Sequence, residues 1–384
     1  MSVRHQTPVA PAWLGTVISI QANYYSVQLD DSSALAELFG RRSDEISLPV
    51  VLLCIRRSLL KKLGQQIMVG DHVAVEEPDW QGMRGAIATV YPRQKFLDRP
   101  PVANPDQILL VFAMAEPALD PHQLSRFLVK AESTGLATTL CLNKRDLVSS
   151  EIADHWHRRL VGWGYRPLMT SIREDAEVRT DLVIELQGKI TVIAGPSGVG
   201  KSSLTNRLIP EQSLRVSAVS GKLGRGRHTT RHVELFELPG GGFLADTPGF
   251  NHPDIVGTPE ALSGYFPEIR QQLAEETCQF SNCLHRDEPG CVARGDWERY
   301  EHYLTMLEEV IRYQQTRSQQ PDVEATEKTK MVEDGKVLNE PRLEAKKYRR
   351  TSRKTRNQAF QELCLDLSAV QDLEDLEDLE DLGR

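Results

Sequence analysis

Gly195-Pro196-Ser197-Gly198-Val199-Gly200-Lys201-Ser202 fits the phosphate-binding pattern G-x-x-x-x-G-K-[ST]. A β-branched apolar run, 190–194, precedes it, and a helix-forming segment, 201–209, follows it. Strand, glycine-rich loop and helix in that order form the context in which the pattern cradles phosphate. Glycines let the backbone wrap tightly, and loop N–H groups and the helix N-terminus point at the anion. Lys201 is expected to reach the β- and γ-phosphates and Ser202 to place its hydroxyl on Mg²⁺. Ser203 is counted with the loop among the nucleotide-contacting residues.

Working outward from this loop, the order of motifs is inverted. Asn143-Lys144-Arg145-Asp146 lies upstream and reads N-K-x-D, the tetrapeptide that GTPases use to select guanine. Guanine presents two adjacent N–H donors, and the Asp146 carboxylate can accept both. A site built around a buried carboxylate rejects a base lacking that pair. Lys144 can lay its stem over the base and Asn143 can brace the loop. Thr170-Ser171-Ile172 sits where a supporting base loop would fall, which makes Ser171 a further candidate. Downstream, Asp246-Thr247-Pro248-Gly249 matches D-x-x-G, whose Asp orients the Mg²⁺ shell and whose Gly amide senses the γ-phosphate. Between them, Gly224-Arg225-Gly226-Arg227-His228-Thr229-Thr230-Arg231 carries two candidate Mg²⁺-ligating threonines, Thr229 or Thr230. The position after D-x-x-G, where many GTPases carry a water-orienting Gln, is Phe250. An apolar ring cannot orient water, so His228 and His252 become the candidate catalytic groups.

The strands around these motifs alternate with helices. Runs 108–114, 138–142 and 190–194 read as strands, and 124–133 and 201–209 as helices. That alternation predicts an α/β fold with a mostly parallel sheet. Upstream, five short β-rich runs (16–20, 24–29, 50–55, 72–76 and 86–91) predict an OB-type barrel, followed by a proline-rich boundary at 99–105. Downstream the pattern turns helical, with 297–313 as one amphipathic helix. The expected division is 1–98 barrel, 99–254 circularly permuted G domain, 255–316 zinc-binding helical domain and 317–384 charged, disordered tail. The tail places seven Lys and Arg between 346 and 356 ahead of the acidic repeat at 372–381.

Cys278-x4-Cys283-x-His285-x5-Cys291 offers three thiolates and one imidazole in a short segment. Such a set favours tetrahedral Zn²⁺, and four protein ligands leave no open position, so one structural zinc is expected. The chain has 384 residues, 40% of them hydrophobic, enough for two or three domains. A net charge of −8 argues against a uniformly basic coat for nucleic acid. The N-terminal stretch has no signal-peptide pattern and the longest apolar run is far too short for a bilayer, so a cytoplasmic location without membrane contact is expected.

Together, the permuted order, the N-terminal barrel, G-P-S-G-V-G-K-S-S, G-R-G-R-H-T-T-R-H, D-T-P-G-F and C-x4-C-x-H-x5-C resemble the bacterial RsgA (YjeQ) family of GTPases dependent on the small ribosomal subunit. The resemblance spans about residues 13–313. It implies an OB-fold, a permuted G domain and a zinc domain. It also implies late maturation of the small subunit, contact with its rRNA, and GTP hydrolysis stimulated by that subunit. A monomer is expected. The charged extension lies outside the resemblance. Because the cysteine cluster follows D-x-x-G closely, the zinc domain's angle is expected to follow the nucleotide. The other reading is an RNA-binding assembly scaffold with a mainly regulatory nucleotide site.

Overall fold

The structure is a computed structural model that describes residues 12–30, 49–171, 176–209, 233–246, 255, 257–319, 327–331 and 337–341. The chain divides into two compact units, Met1–Gln315 and Thr316–Arg384.

The first unit opens with a small barrel. Its strands are β1 (Trp13–Gln21), β2 (Tyr24–Leu29), β3 (Val51–Arg56), β4 (His72–Asp79) and β5 (Arg84–Val90), with a short helix α1 (Ser58–Lys62) after β3. All five expected strands form. Hydrogen bonding runs β1–β2–β3–β5–β4 and closes through β4–β1, which removes the exposed sheet edges. Alternate residues such as Val17, Val27, Leu52, Val73 and Ile87 fill the interior. A register irregularity between Val17 and Ser19 interrupts β1 where it leaves the barrel. β6 (Phe96–Leu97) and β7 (Val102–Ala103) form a small antiparallel pair at the proline-rich boundary.

The central α/β region follows in the order β8 (Gln107–Ala113), α2 (Pro121–Glu132), β9 (Ala137–Asn143), α3 (Ser150–Gly162), β10 (Leu168–Met169), α4 (Ala176–Leu186), β11 (Ile190–Ala194), α5 (Lys201–Leu208), β12 (Glu234–Glu237) and β13 (Phe243–Asp246). Strands β10, β9, β8, β11 and β13 are parallel neighbours, and β12 joins the end antiparallel. β8 and β11 are buried along their whole length because helices cover both faces of the sheet. α2 starts where Asp120 accepts from the His122 N–H at 2.8 Å, with Pro121 at its first position.

Sequence patterning did not reveal α3, α4 or β12. α3 is largely exposed, and the four-residue β12 gains its strand conformation from β13. β12 also pairs with β1 at Glu234 and Ser19, so the barrel and the central sheet are one continuous sheet.

Helices α6 (Pro259–Ser263), α7 (Pro267–Glu275) and α8 (Tyr300–Gln319) flank the cysteine segment. The helix expected over 297–313 therefore starts three residues later and runs further. These helices share a core of Leu262, Phe266, Ile269, Tyr303, Met306 and Leu307, to which α2 contributes Val129.

In the second unit, β14 (Glu327–Met331) pairs antiparallel with β15 (Val337–Pro341), within a stretch whose sequence predicted no element. The intervening residues contain Asp334-Gly335, a dipeptide favoured in hairpin loops, and that signal was overlooked. The basic block and acidic repeat lie outside the described residues.

Candidate nucleotide and metal sites

β11 delivers the P-loop at the carboxyl end of the parallel sheet. Gly195 has φ +137°, and a Cβ there would lie 2.1 Å from the Val111 carbonyl oxygen. Only glycine lets the loop cross β8 this closely. Pro196 and Val199 are buried, while Ser197, Gly198, Ser202 and Ser203 reach the surface, with Gly200 capping α5. Lys201 folds over the loop, its Nζ donating to the carbonyls of Gly195 at 2.8 Å and Pro196 at 2.6 Å.

The N-K-x-D residues end β9, two strands away from β11. Asn143 is fully buried and its Nδ2 donates to the Val199 carbonyl at 2.8 Å, so the end of β9 props the P-loop. Its Oδ1 is buried without a partner among the described residues. Lys144 takes a left-handed conformation, φ +62°, and its Nζ donates to the Gly198 carbonyl at 2.9 Å and to the Glu116 carbonyl. Arg145 hydrogen-bonds the Val148 carbonyl and is held to the second loop through its N–H on Thr170. In that loop, Ser171 donates to Asp146 Oδ1 at 2.7 Å, and the Thr170 N–H donates to Leu142. The carboxylate proposed to read the base is therefore aimed by a buried hydroxyl. Glu116, which sequence reasoning missed, belongs to this site through its carbonyl. No side-chain signal marks it.

Asp246 ends β13, next to β11 and one strand from the P-loop, with its backbone opposite Glu234. His228, Thr229, Thr230, Thr247, Gly249, Phe250 and His252 lie outside the described residues.

The four expected metal ligands converge. Their donor atoms all lie within 4.8 Å of one another. His285 Nδ1 stands 3.6 Å from Cys278 Sγ, 3.6 Å from Cys283 Sγ and 3.3 Å from Cys291 Sγ, and the Cys278 and Cys291 sulfurs are 4.0 Å apart. A tetrahedral zinc with ordinary bond lengths needs edges of about 3.8 Å between sulfurs and about 3.6 Å between sulfur and nitrogen. The donor set fits zinc in both chemistry and spacing. Outer contacts hold the ligand loop. Tyr300 and Tyr303 donate to the carbonyls of His285 and Leu284, and Glu288 accepts from the N–H groups of Leu284, Arg286 and Asp287. Burial opposes ionisation of Glu288, yet those backbone donors bring its pKa to about 2.

Polar contacts join the cysteine-rich region to α2 and Trp163, and a buried ion pair lies within that region. Arg299 is fully buried, donates to both oxygens of Glu268 at 2.7 and 2.5 Å, and stacks on Trp163 and Phe266, each 4.9 Å away. Trp163 Nε1 donates to Glu298 at 2.8 Å, Arg126 Nη1 donates to both carboxylate oxygens of Glu309, and Ser125 hydrogen-bonds His302. Burial pushes the His302 pKa down, and nearby His122, Arg299 and Arg159 push it further against an opposing pull from Glu298.

A base-reading loop that precedes its P-loop in sequence but props it in space places the chain among circularly permuted GTPases. The model of the family described as RsgA GTPase matches residues 90–256. A relative called small ribosomal subunit biogenesis GTPase RsgA, from Trichormus variabilis, is 59% identical over 358 residues, covering 91% of this chain and 96% of the relative. A protein of that name from Synechocystis sp. is 49% identical, covering 93% and 97%. The solved structure of YloQ, titled a circularly permuted GTPase, matches with a TM-score of 0.61 at 27% identity, covering 84% of this chain and all of that one. YjeQ from Thermotoga maritima matches with a TM-score of 0.60 at 30% identity, covering 78% and 99%. The chain belongs to the RsgA GTPase family.

Proposed function

We propose that this protein hydrolyses GTP to GDP and phosphate while bound to the small ribosomal subunit and its rRNA, and assists late maturation of that subunit. The observation that carries the nucleotide reading is the bond from Asn143 to Val199, which joins base selection and phosphate binding in one site. The ribosomal part draws on the names of relatives that match nearly the full chain. The fold division at 98, 254 and 316, the monomeric state and the cytoplasmic location belong to the same proposal. Among the described residues, no helix is long and apolar enough to cross a membrane.

In this reading Asp146, aimed by Ser171, accepts the two guanine N–H donors, and Lys144 covers the base. The P-loop N–H groups and Lys201 take the phosphates. Lys201 exchanges its bonds to Gly195 and Pro196 for the anion, a stronger charge-assisted pair. Ser202, Asp246 and Thr229 or Thr230 would hold Mg²⁺, which supplies charge neutralisation on the β- and γ-phosphates when bound. Gly249 would sense the γ-phosphate and His228 would orient water in place of the missing Gln. Cys278, Cys283, His285 and Cys291 would hold one zinc whose role is to fold the ligand segment.

The test is GTP turnover by the purified protein alone, with small subunits and with large subunits. Stimulation by small subunits only, abolished by Lys201→Ala, is the expected result. Equal turnover in all three would sink the ribosomal reading. A Lys201→Ala protein that still supports subunit maturation would favour a scaffold with a regulatory nucleotide site.

A further inference from the structure

Among the described residues the barrel joins the central sheet through one ladder pairing, beside hydrogen bonds from Ala103 and Asn104 to the carbonyls of Val69 and Gly70, and the position of that pairing is informative. Ser19 of β1 stands opposite Glu234 of β12, and Glu234 stands opposite Asp246 of β13. Three strands are thus in register on one line, with Asp246 two strand spacings, about 10 Å, from the barrel. Aliphatic side chains seal the junction. Ile18, Ile20 and Val69 from the barrel pack with Val233, which precedes β12, Leu235 from β12, Val192 from β11 and Ala245 from β13. Gln28 of β2 adds a hydrogen bond to Glu237 at the other end of β12. The cysteine-rich region instead makes part-buried polar contacts with α2 and Trp163.

We propose that β1 is a positioning element of the nucleotide site. It ties the barrel to the strand that carries Asp246, so that RNA held by the barrel and GTP held by the P-loop change each other's affinity by the same factor. This rests on the GTPase and rRNA reading above. It adds the route, which runs from Ser19 through Glu234 to Asp246 and not through the cysteine-rich region. The physical basis is that a sheet transmits small strand shifts through its ladder, while interdigitated aliphatic side chains permit only a few packings. A ligand that favours one packing at either end shifts the other end reciprocally.

The test uses the full chain loaded with GDP or a non-hydrolysable GTP analogue and Mg²⁺. Amide hydrogen exchange is followed over Trp13–Gln21 and Glu234–Glu237 in the parent protein, in Ile18→Ala, and in Leu60→Ala as a control that loosens the barrel core away from the joint. The two nucleotides should change β1 protection by about fivefold in the parent and in Leu60→Ala, a typical coupling size. That difference should vanish in Ile18→Ala and be intermediate in Ile18→Val, which removes one methyl group and still folds. Small-subunit affinity should lose its preference for the GTP analogue in step. Equal β1 exchange in protein that binds both nucleotides would overturn the coupling and leave the GTPase reading intact. Failure to bind the GTP analogue would overturn both.

Discussion

The barrel meets the central sheet through backbone pairing and aliphatic carbon, at Ser19 and Glu234 and around Ile18 and Leu235. The cysteine-rich region meets α2 and Trp163 through directional polar contacts: Arg299, held inside the region by Glu268, lies over Trp163, whose Nε1 donates to Glu298, and Arg126 donates to Glu309. The difference concerns directionality. Apolar contacts are non-directional, so a close-packed aliphatic joint can hold a few discrete packings. A buried bidentate ion pair holds one geometry, because displacing either partner strands a desolvated charge. That pair therefore holds α7 to the start of α8 in one geometry beneath Trp163, while the barrel joint rests on the strands beside the P-loop. The short chain path from Asp246 to Cys278 led to the expectation that the cysteine-rich region follows the nucleotide. The barrel joint, one strand from Asp246, is the alternative route proposed above.

The largest test of this contrast is metal removal. A chelator should unfold the region from α6 through α8 as a unit, because the binding energy of a structural zinc, on the order of 10 kcal/mol, is folding energy. The readout is loss of amide protection in α7 and α8. Retained protection would mean that the Arg299 joint and the shared core suffice without metal. Arg299→Ala comes next. Leaving Glu268 buried and unpaired should cost about 3–5 kcal/mol in denaturant unfolding, with GDP affinity unchanged. A loss of nucleotide affinity in that variant would erase the distinction between the joints.

Gly164→Ala should cost about 1–3 kcal/mol. Its φ is +91° and a Cβ would lie 2.7 Å from Pro267 Cβ, so the substitution wedges α7 away from the end of α3. An unchanged melting temperature would show that this joint yields as easily as the apolar one. Ile18→Ala should cost less, about 1–2 kcal/mol, since the side chain is half-buried. Despite its small stability effect it should alter the nucleotide response, the reverse of Arg299→Ala.

The smallest effect is pH dependence at His302. Its folded pKa is depressed below the ordinary 6.5, so the unfolded chain binds the extra proton first. The stability this joint supplies is present above the unfolded pKa and is lost as pH falls below it. His302→Gln should flatten the stability profile between about pH 7 and pH 5. An unchanged slope would mean that His302 does not report on this joint.

Local chemistry made much of the site legible. Gly195, Gly198, Gly200 and Lys201 must be contiguous to wrap an anion, so the loop is spelled out in a few residues. The three cysteines and His285 sit within fourteen residues, and their convergence follows from chain connectivity as much as from the fold. Ser171 could be placed beside Asp146 because both end neighbouring parallel strands, β9 and β10. The missed features have different causes. Glu116 contributes only a carbonyl, which carries no side-chain signature. β12 is four residues long and mixed in polarity, so pattern reading had too few positions to register a period.

The amino-acid sequence by itself determined the chemistry: a P-loop pattern, an N-K-x-D tetrapeptide, a Cys₃His set and a closed five-stranded barrel. Each arises from residues near one another in the chain or from a short repeating period, where backbone geometry leaves few alternatives. Only the tertiary structure decided the connections between them. Ser19 meets Glu234, Arg299 meets Glu268 beneath Trp163, and Asn143 meets Val199 across loop closures whose entropic cost no local pattern records. Those contacts exist because burying the surfaces around them outweighs that cost. That balance belongs to the whole folded chain and to no single segment of it.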